Sequence, residues 1–181
     1  MSNGLMVTLL LDRVRRIGRE EARGIVQAEH GEQAATTLRI INEGSPGMQY
    51  IDWRLDATPY HIGTSSDPYL NVIGVGKIDD KTGTIGSLKL TMREELPPEG
   101  EAECNAWMSH VAWMYVDALP FHSSSPEADQ RHLQHVLRIA GQFVDERCVL
   151  LWLWGPKDQP KQVALPTPAT IAALNTGDWP V

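Results

Sequence analysis

The clearest candidate for binding chemistry lies between His122 and Glu127. A histidine and three serines precede Pro126 and Glu127, and this composition is typical of the start of a helix. Free backbone amides and the positive end of the helix dipole attract anions there, and the hydroxyls add hydrogen-bond donors. The segment therefore predicts a site for a phosphorylated or otherwise anionic small molecule, whereas serine capping alone would explain the same residues. The residues of this candidate anion site are His122, Ser123, Ser124, Ser125 and Arg131.

A second candidate is a metal site built from histidines. Asp129, His132 and His135 are spaced by three residues on one predicted helix, and a carboxylate with two imidazoles suits Zn2+. These side chains spread over about 120° around the helix axis, so a single ion bridges them poorly. The metal prediction therefore requires that His110, His122 and His132 become neighbours in space, and such a site would suit a metal-dependent hydrolase.

No other motif in the sequence is specific for catalysis. The serines do not sit in a Gly-x-Ser-x-Gly turn, and residues 74–77 contain only a fragment of the phosphate-loop pattern. The two cysteines, Cys104 and Cys148, are too few for a disulfide framework or a four-thiolate zinc site. Cys148 opens an apolar run, so we expect a buried structural thiol there. The sequence assigns no cofactor.

Five arginines fall within one short stretch near the N-terminus. Acidic residues are interleaved with them, so the stretch is typical of a solvated helix face with local ion pairs. An anion-binding patch is the alternative. The arginines are Arg13, Arg15, Arg16, Arg19 and Arg23.

Six tryptophans are many for a chain of 181 residues. Three of them lie in apolar runs, and we expect these in the core or on a sheet face. Trp53, Trp107 and Trp179 are less clearly internal. If several of these were exposed together, they would mark a surface for a partner, because tryptophan is enriched among residues that dominate binding energy.

Size and charge narrow the classes of function. With 181 residues, 42% of them hydrophobic, the chain is long enough for one domain over residues 1–181, in which 177–181 is expected to be a tail. The formal net charge of −7 argues against nucleic acid and anionic lipid and favours a basic partner. No run approaches the roughly 20 apolar residues of a membrane span, and no export signal is recognisable. We therefore expect a soluble, cytoplasmic protein of bacterial type that does not bind membranes.

The elements that position the candidate residues are clearest in the C-terminal half. Residues 110–119 and 149–154 are apolar on both faces, as central strands are. Between them, apolar residues at helical spacing predict a helix that starts at Ser124 or Ser125 and runs to about residue 146. Strand, helix and strand predict a βαβ unit with two parallel strands.

The remaining segments predict shorter elements. Residues 5–11 predict a strand, followed by a helix whose apolar stripe begins at Val14 and which ends at Gly31. Residues 56–68 predict a long irregular loop because they are rich in Pro, Gly and Ser. Further strands are predicted at 36–41, 50–55, 69–78 and 84–91, and short helices at 101–108 and 167–174.

These elements predict the α+β fold class, with a single mixed β-sheet covered by two main helices, a C-terminal βαβ unit and a ferredoxin-like arrangement. The leading functional hypothesis is a protein-binding module, of immunity or antitoxin type, directed at a basic partner. The first alternative is an enzyme or ligand binder for an anionic small molecule at the 122–127 helix start. The second is a metal-dependent hydrolase. Catalysis and homo-oligomer formation stay open.

Overall fold

One seven-stranded β-sheet organises the part of the chain that the structure describes. The computed structural model describes residues 5–41, 48–65, 100–119, 125–154 and 162–179. The strands lie in the order β2-β3-β4-β5-β1-β6-β7. They are β1 (Leu5–Leu11), β2 (Arg39–Ile41), β3 (Met48–Leu55), β4 (Thr58–Ser65), β5 (Ala112–Ala118), β6 (Cys148–Trp154) and β7 (Gln162–Ala164).

All neighbouring strands in this sheet are antiparallel, which corrects the prediction of a mixed sheet. β5 and β6 both pair with β1, one on each side. They therefore run in the same direction, as predicted for the βαβ unit, but β1 lies between them. β1 fits this central place because six of its seven residues are buried and only Met6 is half-buried.

Five helices accompany the sheet in the described residues: α1 (Arg19–His30), α2 (Glu32–Thr36), α3 (Glu101–Ser109), α4 (Pro126–Phe143) and α5 (Pro168–Thr176). α4 begins where the Ser125 hydroxyl accepts a hydrogen bond from the Ala128 amide at 3.3 Å. α1 ends at Gly31, whose φ of +85° breaks the helix without a steric penalty. The helix predicted from Val14 begins only at Arg19, and the predicted end near residue 146 falls at Phe143.

The inner face of the sheet, defined as the face toward α1 and α4, carries the main core. The apolar stripe predicted for α4 is confirmed, since its residues are buried against β1 and β5. α1, α2 and α5 add buried residues to the same cluster. Four helices therefore contribute to this core, which differs from the predicted cover of two. Examples from each element are Leu9, Ala22, Ala34, Leu137 and Leu174.

The outer face of the sheet carries a second, smaller cluster. Trp107 of α3 packs edge-on against Trp152 of β6, with ring centroids 4.9 Å apart. Leu10, Trp113 and Leu150 complete the buried part of this cluster. The sheet is therefore apolar on both faces along β1, β5 and β6, as the sequence predicts for central strands.

The predicted loop at 56–68 is wrong for most of its length, because β4 occupies residues 58–65. Asp56, with a φ of 54°, and Ala57 form a tight turn that joins Leu55 to its strand partner Thr58. Pro59 is compatible with the strand because its carbonyl, which proline retains, accepts a hydrogen bond from the Leu119 amide. The predicted strand at 36–41 is also shorter, since α2 continues to Thr36.

The predicted strands at 69–78 and 84–91 lie outside the described residues. At the C-terminus, Gly177 is buried and Trp179 packs on the main core. In the described parts of the chain, no helix is long and apolar enough to cross a membrane.

Candidate functional site

Polar side chains from α1, α4 and β4 meet at one edge of the main core. We call this group the histidine cluster. On α4 its members are spaced by three residues and therefore lie along one side of the helix. On β4, Tyr60 faces inward because successive strand residues alternate between the two faces. The members are Glu29, His30, Tyr60, His132, His135 and Arg138.

Tyr60 and His132 form a hydrogen bond between β4 and α4. The Tyr60 hydroxyl lies 2.7 Å from Nδ1 of His132, and Oγ1 of Thr58 lies 3.5 Å from Nε2. Tyr60 is fully buried, whereas Thr58 and His132 are half-buried. Burial raises the pKa of Tyr60. Burial, with the positive charges of His135 and Arg131, lowers the pKa of His132. Both groups are therefore neutral near neutral pH.

Glu29, His135 and Arg138 tie α1 to α4. Oε1 of Glu29 lies 2.5 Å from Nδ1 of His135 and 2.8 Å from Nε of Arg138. Burial alone would raise the pKa of Glu29, but the hydrogen bonds from His135 and Arg138 outweigh it and lower the pKa. Glu29 is therefore ionised and can only accept, so Nδ1 of His135 carries a proton and donates it.

His30 lies inside the cluster without a hydrogen bond. Its ring centroid is 4.6 Å from that of His135 and 4.9 Å from that of Tyr60. Both ring nitrogens are buried and have no hydrogen-bond partner among the described residues. Nε1 of the neighbouring Trp53 is also buried without a hydrogen-bond partner among these residues. Burial lowers the pKa of His30 to about 4. The cluster therefore contains a neutral imidazole whose ring nitrogens are buried.

The helix start that the sequence indicates as an anion site is only partly described. Ser125 is the cap of α4, and its carbonyl accepts from the amides of Ala128 and Asp129 at 2.9 Å and 3.0 Å. Glu127 also bonds to Ser125 and keeps a lowered pKa for that reason. These contacts occupy the first turn with the chain's own groups. Arg131 is exposed on the next turn. His122, Ser123 and Ser124 lie outside the described residues.

The structure does not bring His110 and His132 together. His110 precedes β5, whereas His132 contacts Tyr60, whose strand partner Ala118 lies at the other end of β5. A strand of this length spans about 20 Å. His122, the third histidine of the predicted metal site, lies outside the described residues. Within those residues, no group of three or more His, Cys, Asp or Glu side chains could hold a metal ion.

The arginine-rich stretch forms ion pairs rather than an open patch. Arg13 pairs with Glu146, and Arg23 pairs with Glu32, both at 2.9 Å and at exposed positions. Arg15 does not lie on a solvated face, because its guanidinium is buried between α1 and the turn after α4. The alternative of an anion-binding patch receives no support from these three arginines.

Charged residues also form a row across the outer face of the sheet. Arg39, Asp52, His61 and Asp117 are successive cross-strand partners on β2, β3, β4 and β5. Nδ1 of His61 lies 3.0 Å from Oδ1 of Asp117, and this hydrogen bond raises the pKa of His61. The row therefore places acidic and basic side chains opposite one another on neighbouring strands.

The sequence indicates His132 and His135 as candidate metal ligands, and it does not indicate the other four members of the cluster. The sequence predicts a loop at residues 56–68, so it does not indicate that Tyr60 faces inward. His30 stands at the predicted end of the helix that stops at Gly31. Glu29, the partner of His135, belongs to another helix. Only the three-residue spacing of His132, His135 and Arg138 could have signalled a shared polar side.

The fold and the cluster define an α+β protein with a seven-stranded antiparallel sheet and polar residues between its helices and its inner face. No protein-family model matches the chain, and comparisons with curated proteins and with solved structures find no match.

Proposed function

We propose that the chain binds a small molecule that carries a carboxylate or a similar singly charged oxygen anion. The site is the rim of the histidine cluster, formed by Thr58, Arg131 and His132. One observation carries the proposal: Oγ1 of Thr58 and Nε2 of His132 are 3.5 Å apart, at the long limit of a hydrogen bond, and both residues are half-buried. A ligand oxygen can therefore gain hydrogen bonds there without breaking a strong one.

The charges around the rim favour a single negative charge on the ligand. Arg131 is exposed, and its positive charge acts on both Tyr60 and His132. The negative charges of Asp56 and Asp129 also act on His132. Asp56 and Asp129 would both repel a doubly charged phosphate. A ligand with one carboxylate can also pair with Arg131, and its single charge is repelled less.

The proposal can be tested by thermal shift and calorimetry with a small panel of ligands. Acetate, lactate and benzoate represent carboxylates, while inorganic phosphate and glycerol serve as the doubly charged and uncharged comparators. A ligand at about 100 times its Kd stabilises the folded state by about 2.7 kcal/mol, so binding raises the Tm. We expect at least one carboxylate to raise the Tm more than phosphate or glycerol does.

Three variants make this test specific. Thr58→Val and Arg131→Gln should each weaken carboxylate binding about tenfold, since each removes one polar contact or charge. Arg16→Gln is the matched control, because Arg16 is exposed and its neighbour Arg15 contacts the opposite end of α4, so it should bind as the wild type does. A panel without any Tm rise, or equal binding by all three variants, would contradict the proposal.

The net charge of −7 supports a second candidate, the protein-binding module of immunity or antitoxin type directed at a basic partner. The tryptophans add no support, since Trp53 and Trp107 are 1% and 4% exposed and Trp179 packs on the core. Binding to basic proteins should weaken steeply as salt is raised, because exposed charges are screened. If the protein binds no basic protein at low ionic strength, that result would argue against this candidate.

We also propose that the chain contains a ferredoxin-like core, formed by the strands β6-β1-β5-β4 and the helices α1 and α4. Two relations support it, since β1 and β4 run in the same direction with β5 between them, and β5 and β6 do so around β1. β2 and β3 are then an addition between α1 and β4. NMR cross-strand contacts between β1 and both β5 and β6 would test this order, and contact between β5 and β6 would contradict it.

A further inference from the structure

We infer that Tyr60 fixes the tautomer of His132, so that Nδ1 accepts from the phenol and Nε2 carries the proton that the site donates to its ligand. This inference rests on the proposed function and specifies which atoms of the same site donate and which accept hydrogen bonds. Tyr60 is thus a positioning residue that acts through His132.

The position of Tyr60 leaves its hydroxyl little freedom. The residue is 0% exposed, and its ring stacks on that of Trp53 with centroids 5.6 Å apart and an angle of 14° between the planes. His30 packs against the same ring at 4.9 Å. Packing against these two rings therefore holds the phenol oxygen 2.7 Å from Nδ1 of His132.

The direction of this hydrogen bond follows from the available acceptors. Among the described residues, Nδ1 of His132 is the one hydrogen-bond partner of the Tyr60 hydroxyl. If Nδ1 carried the proton, the phenol hydrogen would be buried without an acceptor, which is costly. The phenol therefore donates to Nδ1, and the proton of the neutral imidazole resides on Nε2.

This tautomer determines which ligand atoms fit. Nε2–H and the exposed Arg131 are donors only, and the Thr58 hydroxyl can donate as well as accept. The site should therefore prefer oxygen acceptors and reject ammonium groups. A carboxylate and an amine of similar size, such as acetate and methylammonium, provide a direct comparison.

Burial is the main cause that keeps His132 uncharged, and this hydrogen bond acts in the same direction. Protonation would place a proton on Nδ1, the second proton of the ring, which removes the acceptor of the phenol. Tyr60 and Thr58 face His132 from β4, Asp56 from the turn before it, and Asp129, Arg131 and His135 from α4. Because this direct bond opposes protonation, replacing Tyr60 by phenylalanine should raise the pKa of His132 and allow both tautomers.

The test is the 15N NMR spectrum of the histidine side chains in the ligand-free protein. The His132 signals are assigned from their loss in His132→Gln. We expect an unprotonated Nδ1 and a protonated Nε2 in the wild type. In Tyr60→Phe the tautomer ratio should shift about tenfold toward Nδ1–H, because the lost hydrogen bond is worth roughly that factor. Thr58→Val, which leaves the phenol in place, should keep the wild-type tautomer.

Failure of the inference and failure of the proposed function can be distinguished. A protonated Nδ1 in the wild type overturns the inference, whatever the protein binds. The Nε2–H tautomer in a protein that binds no carboxylate supports the tautomer assignment and contradicts only the proposed function. If Tyr60→Phe does not fold, the wild-type spectrum alone still decides which nitrogen carries the proton.

Discussion

His30 is held in a setting that disfavours its charge, and no described residue makes a hydrogen bond to its ring nitrogens. Both nitrogens are buried, with His135, Tyr60 and Trp53 around the ring. Burial, together with the positive charge of His135, lowers its pKa from 6.5 to about 4. A buried polar group of this kind destabilises a fold unless another interaction compensates for its burial. Its pKa therefore has a direct consequence for stability.

We expect the folded state to lose stability as the pH falls from about 6.5 to about 4. In that window the unfolded chain binds a proton at His30 that the folded chain does not, so acid favours unfolding. The loss from His30 should be about 2 kcal/mol, and it can be measured by denaturant unfolding at several pH values. At neutral pH this contribution is absent.

The matched comparison is His30→Phe, which keeps a flat ring of similar size and has no titrating group. Other histidines, including His132 with a lowered pKa and His61 with a raised one, titrate in both proteins and cancel in the difference. The variant should be less sensitive to acid over the same window and at least as stable at pH 7. Equal pH dependence of the two proteins would show that His30 is not neutral and buried.

At the scale of elements, Arg15 joins the start of α1 to the end of α4, which is distant in sequence. Its guanidinium donates to the Phe143 carbonyl at 2.6 Å, to Asp145 at 2.7 Å and to Glu21 at 2.6 Å. It also lies over the Phe143 ring, 5.2 Å from the centroid. The segment before α1, the first turn of α1 and the end of α4 therefore share one buried cation. Residues 14–18 are not helical, although the sequence predicts a helix there, and the backbone N–H and C=O of Ile17 bond to the Gln49 side chain.

Arg15→Met should destabilise the protein by about 2 kcal/mol, because it leaves a buried carbonyl and the Glu21 carboxylate without their donor. Asp145 keeps Arg147 at 2.6 Å, so the loss stays below that of a fully isolated buried charge. The control is Arg13→Met, whose ion pair with Glu146 is 57% and 75% exposed and should contribute less than about 0.5 kcal/mol. Urea unfolding of both variants measures the difference, and equal effects would contradict the special role of Arg15.

The elements that the sequence predicts well are those with a strong local pattern. β1, β5 and β6 are continuous apolar runs, and α4 has an apolar stripe at helical spacing with a serine cap. β4 was missed because Pro59 and Gly63 weaken its strand pattern. Its neighbours explain both residues: Pro59 is paired with Arg54 beside the turn, and a Cβ on Gly63 would lie 2.2 Å from the Tyr115 ring. Such neighbours are not visible in a single sequence.

The candidate site was predictable only in part for the same reason. The spacing on α4 places His132, His135 and Arg138 along one side, but their partners come from other elements. Tyr60 reaches His132 because β4 is folded back by the Asp56 turn, and Glu29 reaches His135 because α1 packs on α4. Contacts between distant segments depend on strand order, which local periodicity does not determine.

At the scale of the whole molecule, the strand order places the most apolar strands in the middle and the shortest at the edges. β1 is hydrogen-bonded on both sides along nearly its full length. β2 and β7 have three residues each, and within the described part of the chain each pairs with one strand only. Short edge strands limit pairing with other chains, while the centre holds most of the buried apolar surface.

This arrangement predicts a gradient of hydrogen-exchange protection across the sheet. The amides of β1 and β5 should exchange only through global unfolding, because their hydrogen bonds lie between buried side chains on both faces. The amides of β7 should exchange through local opening, several kcal/mol more easily, since few contacts must break. Native-state exchange followed by NMR measures both sets in one sample. If β7 were as protected as β1, stability would be spread evenly over the sheet, and the central strands would not be the part whose loss unfolds the protein.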